Sequence, residues 1–218
     1  MSEPLPSATV VVVRDTTDGL QVLLLERNTG KNVWVFPGGK LDGRDGYVEG
    51  TNDWGDAARR AAVRETIEEA GLVLDAAAFV PFSRWITPEI APKRFDTLFF
   101  LAQTDADTPV RVDGSEIASH RWFLPAAALE AHHAGEIQLV PPTYVSVDWL
   151  TPYSRAESAR AAFDGQTPLV FRPCICPIEN GVCMLYPGDA GYEAKDPEAP
   201  GARHRMWSLD GRFRYERS

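Results

Sequence analysis

A chain of 218 residues, 44% hydrophobic and 24% charged, can bury a sizeable core without disulfide staples. Its 22 basic against 31 acidic residues give a net charge of −9, and no Lys/Arg block is long enough for a nucleic-acid track. A small phosphorylated ligand stays compatible with that balance, because a few local arginines or metal ions can override the average field.

The N-terminal MSEPLPS has neither the basic region nor the apolar core of a signal peptide, and ATVVVV is too short to span a membrane. A cytoplasmic protein with no membrane partner is therefore expected. Residues 8–14 and 20–26 read as two aliphatic strands around the turn-forming TTDG, continuous enough to be central and covered on both faces. VWVF at 33–36 reads as a third strand leading into Pro37-Gly38-Gly39. Gly38 and Gly39 permit a tight turn and close approach of a diphosphate to backbone N–H groups, although the same tripeptide serves in ordinary loops.

Leu41 to Trp54, rich in glycines and acids, reads as a surface excursion, a candidate lid or specificity loop. A helix is predicted over 55–70, with Asp53 or Asp56 as its cap and Gly71 as its stop. On it, Glu65, Glu68 and Glu69 fall three and four residues apart and share one side. Such like-charge clusters usually line a solvated face. Here they continue a stripe of Ala58, Ala61 and Ala62, small residues that allow close packing, and they follow the Pro-Gly-Gly turn. Clustered carboxylates are what Mg²⁺ or Mn²⁺ requires. Arg64, four residues before Glu68, forms at least a helical ion pair.

Residues 77–88 and 94–102 resemble an extended pair around an EIAPK loop. Arg84 and Arg94 flank the pair, and their guanidinium forks suit phosphate oxygens as well as ordinary strand-end duty. A strand SHRWF follows Glu116; a helix begins at Pro125; further helical pieces occupy about 142–150 and 154–163. PLVFRPCICPI and GVCMLYP look like a hairpin turned at Asn180-Gly181. Cys174, Cys176 and Cys183 make no disulfide framework and read as small buried hydrophobes. Residues from 188 onward show few apolar runs, with Trp207, Phe213 and Tyr215 as their anchors.

RETIEEAGL, Arg64 to Leu72, resembles the second half of the Nudix box, G-x5-E-x7-R-E-U-x-E-E-x-G-U, where U is aliphatic. Gly39 resembles the opening glycine, Thr66 replaces one aliphatic residue, and Asp56 stands seven residues before Arg64 where the family has Glu. On that alignment the insertion of eleven residues falls between Gly39 and Asp56. The inserted box with the later WITP and RFDTLFFLA segments is similar to the coenzyme A-diphosphatase branch of the Nudix hydrolases.

The resemblance implies an α/β/α sandwich with a mixed β-sheet, a hydrolase core over residues 1–165 and an extension over 166–218 packed on the core or on a partner subunit. It implies metal-dependent cleavage of a phosphoanhydride in a small nucleotide-derived diphosphate. Glu65, Glu68 and Glu69 would hold Mg²⁺ or Mn²⁺, Arg64 would orient a glutamate, and Glu69 or Glu116 would serve as base. Gly38, Gly39, Arg84 and Arg94 would bind substrate. Coenzyme A or acyl-coenzyme A is the implied substrate, with ADP-ribose or another nucleoside-diphosphate sugar as the enzymatic alternative and a non-catalytic nucleotide sensor as the other class. A homodimer is also implied.

Overall fold

The computed structural model describes residues 3–51 and 53–218; Met1, Ser2 and Asn52, which belong to the N-terminal and loop readings above, lie outside the described residues. Strand β1 (Leu5–Thr16) lies at the middle of the main sheet, antiparallel to β2 (Gly19–Arg27) and parallel to β6 (Phe95–Gln103). The sheet is therefore mixed. Its order runs β8 (Gln138–Leu139), β3 (Val33–Val35), β2, β1, β6, β5 (Val80–Ile86) and β9 (Leu169–Phe171), with β4 (Gly38–Lys40) also on β1 and β7 (Ile117–Phe123) also on β2.

The aliphatic runs form central strands because both faces are covered. Along β1, Val11 and Val13 enter one core while Ala8, Val10 and Val12 enter the other, and β2 divides Leu24 from Leu23 and Leu25 in the same way. Helix α1 (Gly55–Ala70) covers the second face with Ala57, Ala58, Ala61 and Ala62. Helices α2 (Pro125–His133), α3 (Pro141–Leu150) and α4 (Ala156–Phe163) cover the first. The result is the expected α/β/α arrangement with additional C-terminal elements.

Helix α1 ends where predicted, on Gly71 in the left-handed conformation with φ 65°. Its start departs from expectation: Trp54 occupies the cap position without a side-chain hydrogen bond, so neither Asp53 nor Asp56 caps it. Inside α1, Thr66 is fully buried and donates its hydroxyl to the Ala62 carbonyl at 2.7 Å, so its methyl can face the core at no polar cost.

The C-terminal prediction needs a correction. Leu169–Phe171 is not part of the hairpin but pairs parallel to β5, extending the main sheet. Only β10 (Cys174–Ile178) and β11 (Gly181–Leu185) form the hairpin, and β12 (His204–Leu209) and β13 (Arg212–Arg217) complete a second, antiparallel sheet. The turn is at Asn180 and Gly181, both at positive φ. All three cysteines are free thiols. A buried ion pair ties the tail: Arg205 donates to both oxygens of Asp189 at 2.6 and 2.7 Å, and Asp189 also accepts from the N–H groups of Gly191 and His204. Among the described residues no helix is long and apolar enough to cross a membrane.

Candidate active site

The Pro-Gly-Gly turn brings β4 back across β1, with Gly38 opposite Thr9 and Gly39 opposite Ala8. These glycines are required by space. A Cβ on Gly38 would stand 2.5 Å from the Ala8 carbonyl oxygen, and a Cβ on Gly39 would collide with the Glu65 carboxylate. The turn therefore lies directly against the glutamate side of α1. Gly38 N–H donates to Glu69 Oε2 at 2.9 Å.

Arg64 organises the other two glutamates. It donates to Glu65 Oε1 at 2.7 Å and to Glu68 Oε2 at 3.1 Å, and it reaches the Lys40 carbonyl at 3.0 Å. Its strongest partner was not anticipated. Asp45, whose side chain is only 2% exposed, receives Arg64 Nε at 3.0 Å and a terminal nitrogen at 2.8 Å. These partners, Asp45 first, hold the guanidinium even more firmly charged than usual.

Asp45 also corrects the alignment. It stands six residues after Gly39, the spacing of G-x5-E, whereas Asp56 is exposed on the first turn of α1. The structural counterpart of the box's first acid is Asp45, and the eleven extra residues fall between Asp45 and Arg64. Capping fixes the local geometry: Asp42 accepts from Arg44 N–H at 2.7 Å, while Asp42 N–H donates to Asp45 Oδ2 at 2.9 Å. The spacing was available in the sequence, but an acid in a glycine-rich loop reads as solvated.

Glu69 is buried, Glu65 is half-buried and Glu68 is exposed. Burial pushes the Glu69 carboxyl up to about 7 against the pull of Gly38 N–H, and the charges of Glu65 and Glu116 push in the same direction. Burial also raises Glu65, opposed by Arg64 and reinforced by Glu68 and Glu116. Glu116 thus lies within electrostatic reach of both. Its backbone is pinned before β7 by Asp113, which accepts from Glu116 N–H at 2.9 Å, and its carbonyl accepts from Asn28 N–H at 2.8 Å.

Hard oxygen donors that mutually disfavour ionisation fit a divalent cation, whose charge would relieve the repulsion. Among the described residues no three His, Cys, Asp or Glu side chains are gathered at metal-holding distances. Two of the three helix carboxylates instead place an oxygen on Arg64.

The structure does not bring Arg84 to this group. Both Arg84 bonds, at 2.7 and 2.6 Å, go to Asp96, and its guanidinium lies 5.6 Å from the centre of the Trp54 ring. Trp54 precedes Glu65 by eleven residues, about 16 Å along the helix axis. Arg94 donates to the carbonyl of Thr87 at 3.1 Å, and Thr87 is one of the residues that line a cavity. Arg27 was overlooked in the sequence. It lines the same cavity beside Gly38, and its charge acts on Glu69. An arginine at an exposed strand end gives no local signal of this.

The chain belongs to the Nudix family: the NUDIX domain model matches residues 4–142. It is accordingly a Nudix pyrophosphohydrolase, an enzyme that cleaves a phosphoanhydride in a nucleotide-derived substrate. Putative nudix hydrolase 7 of Caenorhabditis elegans is 26% identical over 85% of this chain and 74% of its own length. The acyl-coenzyme A diphosphatase NUDT19 of Homo sapiens is 30% identical over 51% of this chain but 31% of its own length, and that of Xenopus laevis is 28% identical over 59% and 36%. The chain thus spans about a third of those two relatives. A NUDIX hydrolase from Alicyclobacillus acidocaldarius shares the fold at TM-score 0.66 and 24% identity, covering 77% of this chain and all of that one.

Proposed function

We propose that the chain is a divalent-metal-dependent diphosphatase of coenzyme A or acyl-coenzyme A, releasing an adenosine bisphosphate and a phosphopantetheine product. The observation that carries the reading is the position of Gly38, which holds Glu69 by its N–H and also lines the cavity. A diphosphate seated there has carboxylates on one side and room for an organic group on the other. Likeness to the two acyl-coenzyme A diphosphatases supports the substrate.

In this reading Glu65, Glu68 and Glu69 hold Mg²⁺ or Mn²⁺, which when bound supplies charge neutralisation on the diphosphate and a lowered pKa for the attacking water. Glu69 keeps Oε2 on Gly38 N–H, leaving Oε1 to accept the water's proton. Glu116 is the second candidate base. Arg64 sets the rotamers of Glu65 and Glu68 and touches no substrate. Gly38 and Gly39 form the side-chain-free wall against which the phosphates sit, Arg27 and Arg94 receive their charge, and Arg84 is occupied by Asp96. The same proposal has a hydrolase core over residues 1–165 and an extension over 166–218 that lends β9 to the core's sheet, and it includes a homodimer.

A substrate panel with added Mg²⁺ or Mn²⁺ and mass analysis of products tests the proposal. Coenzyme A should yield the two named products. Exclusive turnover of ADP-ribose would replace the substrate, and tight nucleotide binding without turnover would favour a sensor.

A further inference from the structure

Beyond Gly38 lies a cavity of about 540 Å³, within the usual range for a small-molecule site. Its near wall is the main sheet, through Val35, Trp85 and Phe99; its far wall is the second sheet, through Ile175 and Met184, with Pro173 just before it. Ile175 and Met184 are cross-strand partners and so stand side by side on one face. Their neighbours Cys176 and Cys183 turn the other way, into a separate cluster with Leu185.

The chemistry of this lining is one-sided. Among the described residues that line it, Arg27, at the Gly38 end, is the only charged one, no Asn, Gln, Asp, Glu or His is present, and the other polar side chains are the single hydroxyls of Thr9, Thr87, Thr97 and Thr143. A nucleobase presents several adjacent donors and acceptors, and single hydroxyls on an otherwise apolar wall would leave part of those edges unpaired, at a cost. A chain-like apolar group has no such edges. Met184 and the four prolines Pro88, Pro141, Pro142 and Pro173 offer it a surface that one flexible thioether can adapt.

We propose that the cavity takes the acylated pantetheine arm of the substrate rather than its adenosine, and that Ile175 and Met184 set selectivity for the acyl chain. This assignment rests on the diphosphatase reading given above for the chemistry at Gly38, but the cavity's occupant can be tested apart from turnover. It gives the C-terminal sheet a place in the active site: the catalytic turn and the far wall are contributed by sequence more than 130 residues apart.

The experiment has two arms. In the first, kcat/KM is measured with metal for acetyl- and decanoyl-coenzyme A in wild type, Ile175→Trp and Met184→Leu. Each methylene that enters the cavity strengthens binding by up to about fourfold, so wild type should favour the longer chain by at least about tenfold. Ile175→Trp, which fills the cavity, should erase most of that ratio, and the volume-conserving Met184→Leu should keep it. In the second arm, calorimetry follows binding of decanoyl-pantetheine and, separately, of adenosine 3′,5′-bisphosphate. Ile175→Trp should weaken the first ligand more than the second. Hydrolysis without chain preference, or weakening confined to the bisphosphate, overturns the cavity assignment and leaves the diphosphatase reading standing. Decanoyl-pantetheine binding that Ile175→Trp blocks, in a protein that cleaves no coenzyme A ester, does the reverse.

Discussion

Gly38 N–H donates to Glu69 Oε2 at 2.9 Å across thirty-one residues of sequence, joining the β-turn to the carboxylate helix. That bond keeps one oxygen of a buried carboxyl satisfied while burial raises its proton affinity to about 7. In the folded chain Glu69 takes up its proton near 7, and in the unfolded chain near the usual 4.5. Between those values the folded form holds the extra proton, so stability of the metal-free protein should fall as pH rises through that window. Urea unfolding in chelator across the window should show the decline, and Glu69→Gln should flatten it. The same substitution should lower metal-dependent turnover about a hundredfold or more. Superimposable stability curves for the two proteins would remove Glu69 as the titrating group.

The two glycines should fail differently. Gly38→Ala places a Cβ 2.5 Å from a backbone oxygen that cannot rotate away, so it should cost stability, of the order of 1–3 kcal/mol typical of overpacking. Gly39→Ala meets only the end of the Glu65 side chain, which can swing aside. It should leave melting nearly unchanged while weakening activation by Mg²⁺. Paired melting curves and metal titrations separate the two; equal effects on both readouts would contradict the argument.

Asp45 and Asp56 offer a direct comparison. Asp45→Asn removes the charge that chelates a largely buried Arg64 and should destabilise the fold by about 2 kcal/mol or more. Asp56→Asn lies on the exposed start of α1 and should stay within about 0.5 kcal/mol of wild type. Chemical denaturation measures both. The reverse ranking would restore Asp56 as the first acid of the box.

Arg27 and Arg84 should likewise part company. Arg27→Ala should raise KM for a diphosphate substrate about tenfold, the worth of one charge-assisted hydrogen bond. Arg84→Ala breaks a pair whose Asp96 is mostly buried, so its effect should appear in stability first and in KM little. Steady-state kinetics beside a melting curve resolves the two, and an unchanged KM in Arg27→Ala would exclude that residue from substrate contact.

The parts legible in sequence are those written in apolar period and turn chemistry. Val10 to Val13 announced a central strand because only a strand covered on both faces accommodates such a run. Gly71 announced the end of α1 because the left-handed position favours glycine. What escaped was written in charge. Asp45 and Asp189 look like surface acids in glycine-rich loops, and each is buried by an arginine, nineteen and sixteen residues away. The C-terminal strands β12 and β13 escaped for the same reason: the buried Arg205 in β12 breaks the apolar pattern that would have marked it. Arg27 declares its position only once β2 and β4 are both folded against β1.

The clamp between Asp45 and Arg64 has a consequence for chain length. Eighteen residues now separate the two, against seven in the usual box. Closing the longer loop costs only about 0.8 kcal/mol more, since the entropy of closure grows with the logarithm of length. Both ends are held by bonds that do not depend on what lies between them: the Asp42 cap on one side and the body of α1 on the other. The segment after Asp45 is therefore a port where sequence can be gained or lost while the carboxylate helix keeps its register, a natural point for new specificity to enter this fold.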